Sequence, residues 1–138
     1  MPLLARLKTP VRSLADAEIT AAQQIADEIG AFKWFDAIEL KGEQKARLHI
    51  GLTVQRAIEI LEQNGLNPFD YGFICFDEWE DQVAEDGTVV QKAGNRYSFR
   101  TDELSLFVSR GQQAVIQKQQ ALITSLTARV AALEGAKA

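Results

Sequence analysis

Four acids within five positions, Asp77, Glu78, Glu80 and Asp81, form the densest group of potential cation ligands in the sequence. A hard cation needs oxygens that converge from one loop. This spacing matches no calcium loop, so the run reads as a solvated hairpin whose charges discourage edge-to-edge pairing. The single histidine, His49, lies between Leu48 and Ile50 in a strand-like segment, where an imidazole reads as a hydrogen-bonded interior residue. The single cysteine, Cys75, sits inside GFICF and is expected to behave as a small buried hydrophobe. It has no partner for an internal disulfide, and one histidine with one cysteine cannot supply the ligands of a zinc cage. No phosphate-cradling glycine loop is visible, so the expectation is a chain with no metal and no cofactor. Ser13, the first hydroxyl with an acid three residues on (Asp16), has capping-box spacing and reads as a helix cap, not a nucleophile. The aromatic residues Trp34, Phe35, Phe69, Tyr71, Phe73 and Phe76 read as core and interface packing, because no arginines or lysines interleave them for base stacking.

The elements that must position these residues come from a chain of 138 residues, 46% apolar and 25% charged, a length suited to one compact unit with or without a tail. A net charge of -4, from 19 acids and 15 bases, provides no positive field for a phosphate backbone and argues against a nucleic-acid partner. No apolar run approaches the roughly 20 residues of a membrane span. Residues 1–10 also lack the apolar core and cleavage site of a signal peptide, so a soluble chain with no membrane partner and no secretory processing is expected.

Residues 1–12 read as an arm bracketed by Pro2 and Pro10. Ala15, Ile19, Ala22, Ala26 and Ile29 then recur at helical spacing until Gly30 offers a left-handed stop. FKWFDAIEL favours a strand, turned by Gly42 toward a second strand in ARLHIGL. Val54, Ala57, Ile58 and Leu61 form a helical stripe that ends at Asn64-Gly65 ahead of Pro68. GFICF asks for burial while DEWED should run out into solvent. With Asp86-Gly87 as the turn and Tyr97 and Phe99 alternating on the return, residues 73–100 read as a projecting β-hairpin on a body spanning 13–100.

From Thr101 no proline occurs before the C-terminus, which implies a single helix of about 33 residues, on the order of 50 Å long, within 101–138. Ile116, Gln119, Ile123, Leu126, Val130 and Leu133 fall at alternating a and d positions of a heptad, with Gln112 a further polar d layer. So narrow a seam at the far end of a short chain has a copy of itself as its natural partner. The alternative is a helix that bends at Gly111 and folds back on the body. The seam alone does not give the number of chains.

The ordered combination of ARLK, RLHIG with Gln55, the long hairpin, NRYSFRTDEL and the terminal heptads resembles the C-terminal intramolecular chaperone domain of phage tailspikes and tail fibres, the endosialidase type. The resemblance runs from about Ala5 to the C-terminus. It implies an α+β fold, mostly α, in which helices carry a projecting β-hairpin and the last helix forms a trimeric coiled coil. It further implies a homotrimer that aligns the fibre or tailspike domain N-terminal to it and is then released by self-cleavage. Trp79, Asp86 and Gly87 on the hairpin become candidate client contacts. Such a chain would work in the host cytoplasm during phage assembly and reach the virion tail only if not released.

In that family the cut precedes a serine that works with a lysine five residues on. Lys8 matches the lysine and His49 is a candidate assistant, but the serine and acidic positions correspond to Leu3 and Leu4. A Ser-Lys pair needs a desolvated, neutral lysine and a hydroxyl for it to deprotonate. Without the hydroxyl Lys8 has nothing to activate, and Met1-Pro2 offers no upstream peptide to cut, so the enzymatic reading is left open. Two further readings accompany the chaperone: a Ser-Lys autoprotease whose nucleophile has been removed, and a permanent coiled-coil trimerisation or host-contact tail.

Overall fold

The computed structural model describes residues 7–137. Helix α1 (Asp16–Glu28) leads into β1 (Gly30–Phe32), α2 (Phe35–Lys41), β2 (His49–Gly51) and α3 (Val54–Gln63). After one 3-10 turn at Pro68–Asp70 come β3 (Ile74–Trp79), β4 (Gln82–Val83), β5 (Val89–Gln91), β6 (Gly94–Phe99) and the long α4 (Thr101–Lys137). Three two-stranded antiparallel ribbons pair β1 with β2, β3 with β6, and β4 with β5. The described chain is therefore α+β with helix predominating.

Small residues on α1 set the core. Ala21, Ala22 and Ile25 are fully buried and meet Ala57, Ile60 and Leu61 of α3, Phe73 and Ile74 at the start of the hairpin, and Leu104 and Phe107 of α4. A Cβ on Gly111 would lie 2.7 Å from the Cβ of Ala22 and 3.1 Å from the backbone nitrogen of Gln23. Glycine is therefore required there for close helix approach, and α4 runs through it as unbroken helix. The folded-back alternative with a bend at Gly111 is thus not what the chain adopts. Tyr71 bridges α1 and α4, donating its hydroxyl to Glu18 and placing its ring centre 6.1 Å from that of Phe107.

Several local expectations are corrected. Helix α1 is capped at Ala15, not at Ser13: the Glu18 carboxylate accepts the Ala15 N–H at 2.8 Å, and Ala15 has no side-chain oxygen to return the bond. FKWFDAIEL is not one strand. Pairing stops at Phe32, and Phe35–Lys41, rich in the helix formers Ala, Glu, Leu and Lys, coils into α2, which Gly42 ends at φ +84°. The stop after α3 is as read. Gly65 takes φ +75° and the Asn64 amide donates to the Ile60 carbonyl at 2.8 Å.

The hairpin register runs from Ile74 opposite Phe99 to Trp79 opposite Gly94. Ile74, Phe76, Tyr97 and Phe99 share one face, and that face passes from buried at Ile74 to exposed at Phe76. At the tip, Gly87 adopts φ +87° and the Asp86 carboxylate accepts the Thr88 N–H at 2.9 Å, which closes a tight turn.

Candidate functional site

Three surfaces carry the residues singled out from sequence. The first is the distal half of α4. Ile116, Ile123, Leu126, Val130 and Leu133 all stand more than half exposed, although they belong to one well-formed helix. Within a single helix, neighbours shade only part of each side chain, so values of 52% at Val130 to 65% at Leu133 describe an apolar stripe left uncovered by the other described residues. Gln119, at its d position, is exposed with them. Proximally, α4 turns Leu104, Phe107 and Gly111 toward its own domain, and those residues are buried.

The second surface is the hairpin. Beyond the point where the core ends, Asp77, Glu78, Glu80 and Asp81 are all exposed, and Asp81 accepts the Ala93 N–H. Among the described residues no group of three or more His, Cys, Asp or Glu side chains is placed to hold a metal ion. Trp79 is used internally: its indole N–H donates to the Lys92 carbonyl at 2.9 Å, and a Cβ on Gly94 would come within 2.9 Å of its ring. Trp79 therefore braces the hairpin where β6 begins, while Asp86 and Gly87 shape the tip.

The third surface is the arm and the ribbon that follows α1. Lys8 is exposed in irregular chain, and among the described residues no hydrogen bond joins it to His49. Leu3 and Leu4 lie outside the described residues. His49 is exposed, which corrects the interior reading: among the described residues β1 pairs with β2 alone, and this two-stranded ribbon leaves the imidazole uncovered. The imidazole stacks on Phe32 at 5.7 Å between ring centres and meets the edge of Trp34 at 6.4 Å. Trp34, Phe35, Phe69 and Phe76 are exposed as well, so of the six aromatic residues expected to pack only Phe73 is fully interior, with Tyr71 partly so. Cys75 is half-buried rather than interior, and its thiol points toward the Gly72 carbonyl at 3.9 Å.

One functional-looking group was not anticipated. Glu18 is buried yet charged, and accepts from both terminal nitrogens of Arg12 (2.7 and 3.0 Å), the Ala15 N–H and the Tyr71 hydroxyl at 2.7 Å. The Arg12 hydrogen bonds hold the Glu18 carboxyl down at about 2 against the opposing effect of burial. Burial, followed by the hydrogen bond to Glu18, pushes the Tyr71 phenol up to about 12. The only local signal was a glutamate three residues after Ala15, and Ser13 with Asp16 competed for the same pattern.

Residues 5–66 match the family described as "Chaperone of endosialidase". The side tail fiber protein pb1 of Escherichia phage T5 is 46% identical over 123 residues, covering 80% of this chain and 9% of that protein. The tail spike protein of Escherichia virus K5 is 32% identical over 126 residues, covering 88% of this chain and 20% of that protein. The chain thus spans a fifth or less of the length of these curated relatives. Among solved structures, the carboxy-terminal domain of the bacteriophage T5 L-shaped tail fiber with its intra-molecular chaperone domain superimposes with a TM-score of 0.71 at 43% identity, covering 87% of this chain and 31% of that one. A second structure, described as a novel intramolecular chaperon, gives 0.67 at 32% identity and is covered over 98% of its length by 83% of this chain. An α-helical body, a projecting hairpin and an uncovered terminal helix, together with these matches, establish that the chain belongs to the endosialidase-type family of intramolecular chaperone domains.

Proposed function

We propose that this chain acts as a homotrimeric intramolecular chaperone for the fibre or tailspike segment N-terminal to it. The observation that carries the reading is the bare heptad stripe of Ile116, Ile123, Leu126, Val130 and Leu133 on an unbroken helix. An apolar seam without an intramolecular partner is stable in water only when other copies cover it. An intertwined β-fibre has high contact order and leaves strand edges open while it folds. Three chains joined at one end meet at high effective concentration and in register. The hairpin, with its tip at Asp86 and Gly87, is the surface that reaches away from the body toward this client. The test is to express the natural fibre segment with and without this domain and measure folded, protease-resistant fibre. The proposal expects folded fibre only with the domain, and equal yields would refute it.

Self-cleavage is not part of the activity proposed for this chain. Leu3 takes the place of the serine that the family resemblance implies, leaving Lys8, with His49 as its candidate assistant, no hydroxyl to activate. Restoring the hydroxyl with Leu3→Ser behind a short upstream segment should yield two bands on a denaturing gel, while the unaltered sequence yields one. The same leucine favours a second reading, a permanent trimerisation tail that remains on the particle. Mass spectrometry of intact virions tests retention: peptides from α4 on the particle would support the permanent tail, and their absence would refute it.

A further inference from the structure

Glu18 is 2% exposed and is the only charged residue in the buried set among the described residues. Its partners come from different parts of the chain. Arg12 belongs to the arm, and Ala15 opens α1. Tyr71 lies just before the hairpin, and its ring centre sits 5.6 Å from that of Phe73 and 6.1 Å from that of Phe107 on α4. The Tyr71 carbonyl accepts the N–H of Ile74, the first residue of β3, at 3.2 Å, and the Phe73 carbonyl accepts the N–H of Arg100 at 3.0 Å just before α4 begins. Of the arm's described residues, Leu7 and Val11 are 74% and 99% exposed and give it little other purchase on the body.

We infer that Glu18 is a positioning residue that locks the N-terminal arm to the hairpin base and to the start of α4, so that these three elements move as one unit. A buried carboxylate that loses one donor keeps its charge and its burial, so each donor is strongly coupled to the others. Displacing Arg12 therefore loosens the seat of Tyr71, and displacing Tyr71 loosens the arm. The lock is a property of this chain alone. Its use, passing the orientation of the upstream fibre to the hairpin and the stalk, rests on the proposed chaperone reading.

Hydrogen exchange on the full chain tests the lock, with Arg12→Gln and Tyr71→Phe chosen because each leaves Glu18 in place. Arg12→Gln should speed exchange at the Ile74 and Arg100 amides about tenfold, and Tyr71→Phe should do the same at the Ala15 amide. The buried α3 segment from Ala57 to Leu61 should be unchanged in both. Arg12→Lys, which keeps the charge, should recover part of the protection, and the double variant should exchange no faster than the faster single. Effects confined to residues 7–18, effects that add independently, or a uniform rise that includes α3 would each overturn the inference. Light scattering on the same samples keeps it separate from the assembly reading, since a trimer that persists while the lock opens leaves that reading standing.

Discussion

The two halves of α4 use the same helix for opposite ends. Up to about Val115 it is part of a core: Leu104 and Phe107 pack inward, and Gly111 gives up a side chain so that Ala22 of α1 can approach the α4 backbone closely. From Ile116 onward it has comparable apolar content, and among the described residues no contact buries it. Packing density decides the first half, where one extra carbon is felt. On the proposed reading chain number decides the second, whose free energy of burial would then exist only in an assembly. The difference teaches that an apolar stripe can be complete in sequence and still find no cover among the described residues of its own chain.

The contrast is broken most severely by charging the distal half. Ile123→Asp with Leu126→Asp puts two carboxylates per chain into the seam, where desolvation and mutual repulsion cost several kcal/mol with no cation to offset them. Sedimentation should show loss of the assembled species, while circular dichroism still reports α1, α3 and the proximal part of α4.

Gly111→Leu reverses the pattern by attacking the proximal half. The new side chain meets backbone as well as the Ala22 methyl, so overpacking should destabilise the domain by about 1–3 kcal/mol or more, read as a lower thermal midpoint. The seam residues themselves are untouched, so the remaining folded protein should still associate.

Next in size is the pH response of the body. Glu18 sits at about 2 in the folded chain against an ordinary 4.5, so its contribution is fully present above about pH 4.5 and lost as pH falls toward 2. Tyr71 is raised from 10 to about 12, so its contribution is complete below pH 10 and lost as pH rises through 12. Arg12 and Tyr71 are the titratable partners facing Glu18, with Asp70 beside Tyr71. Because Arg12 is largely exposed and screened, the acid limb amounts to roughly 2–3 kcal/mol. Glu18→Gln should flatten it in denaturant titrations between pH 2 and 5, and an unchanged slope would show that Glu18 does not set it.

The smallest effects belong to the exposed ends. Removing the tip from Ala84 to Thr88 should leave the oligomer intact and the thermal midpoint nearly unchanged, yet lower the yield of folded fibre when both are made as one chain. Lys8→Ala should change stability by no more than about 0.5 kcal/mol in a thermal melt, as expected for an exposed arm residue.

What could be read from sequence follows the same division. The α3 stop at Asn64-Gly65, the turn at Asp86-Gly87 and the start and unbroken course of α4 were legible because each rests on local chemistry: a positive φ, a cap or an unbroken period. At 37 residues α4 runs slightly longer than the roughly 33 expected. The heptad was legible because it is a repeat. The segment FKWFDAIEL misled because aromatic content outweighed four good helix formers and the glycine stop at Gly42. His49 misled because alternation predicts a covered face, and a two-stranded ribbon has none to offer. The bond from Glu18 to Tyr71 spans 53 positions, and no spacing rule reaches that far.

The stoichiometry of the unaltered chain tests the central claim most directly. Sedimentation equilibrium at micromolar concentration should give three times the 15.3 kDa chain mass. A monomer would contradict the account, since a module that does not self-associate cannot align fibre chains, and a stable dimer would keep the seam but remove the three-chained assembly built on it.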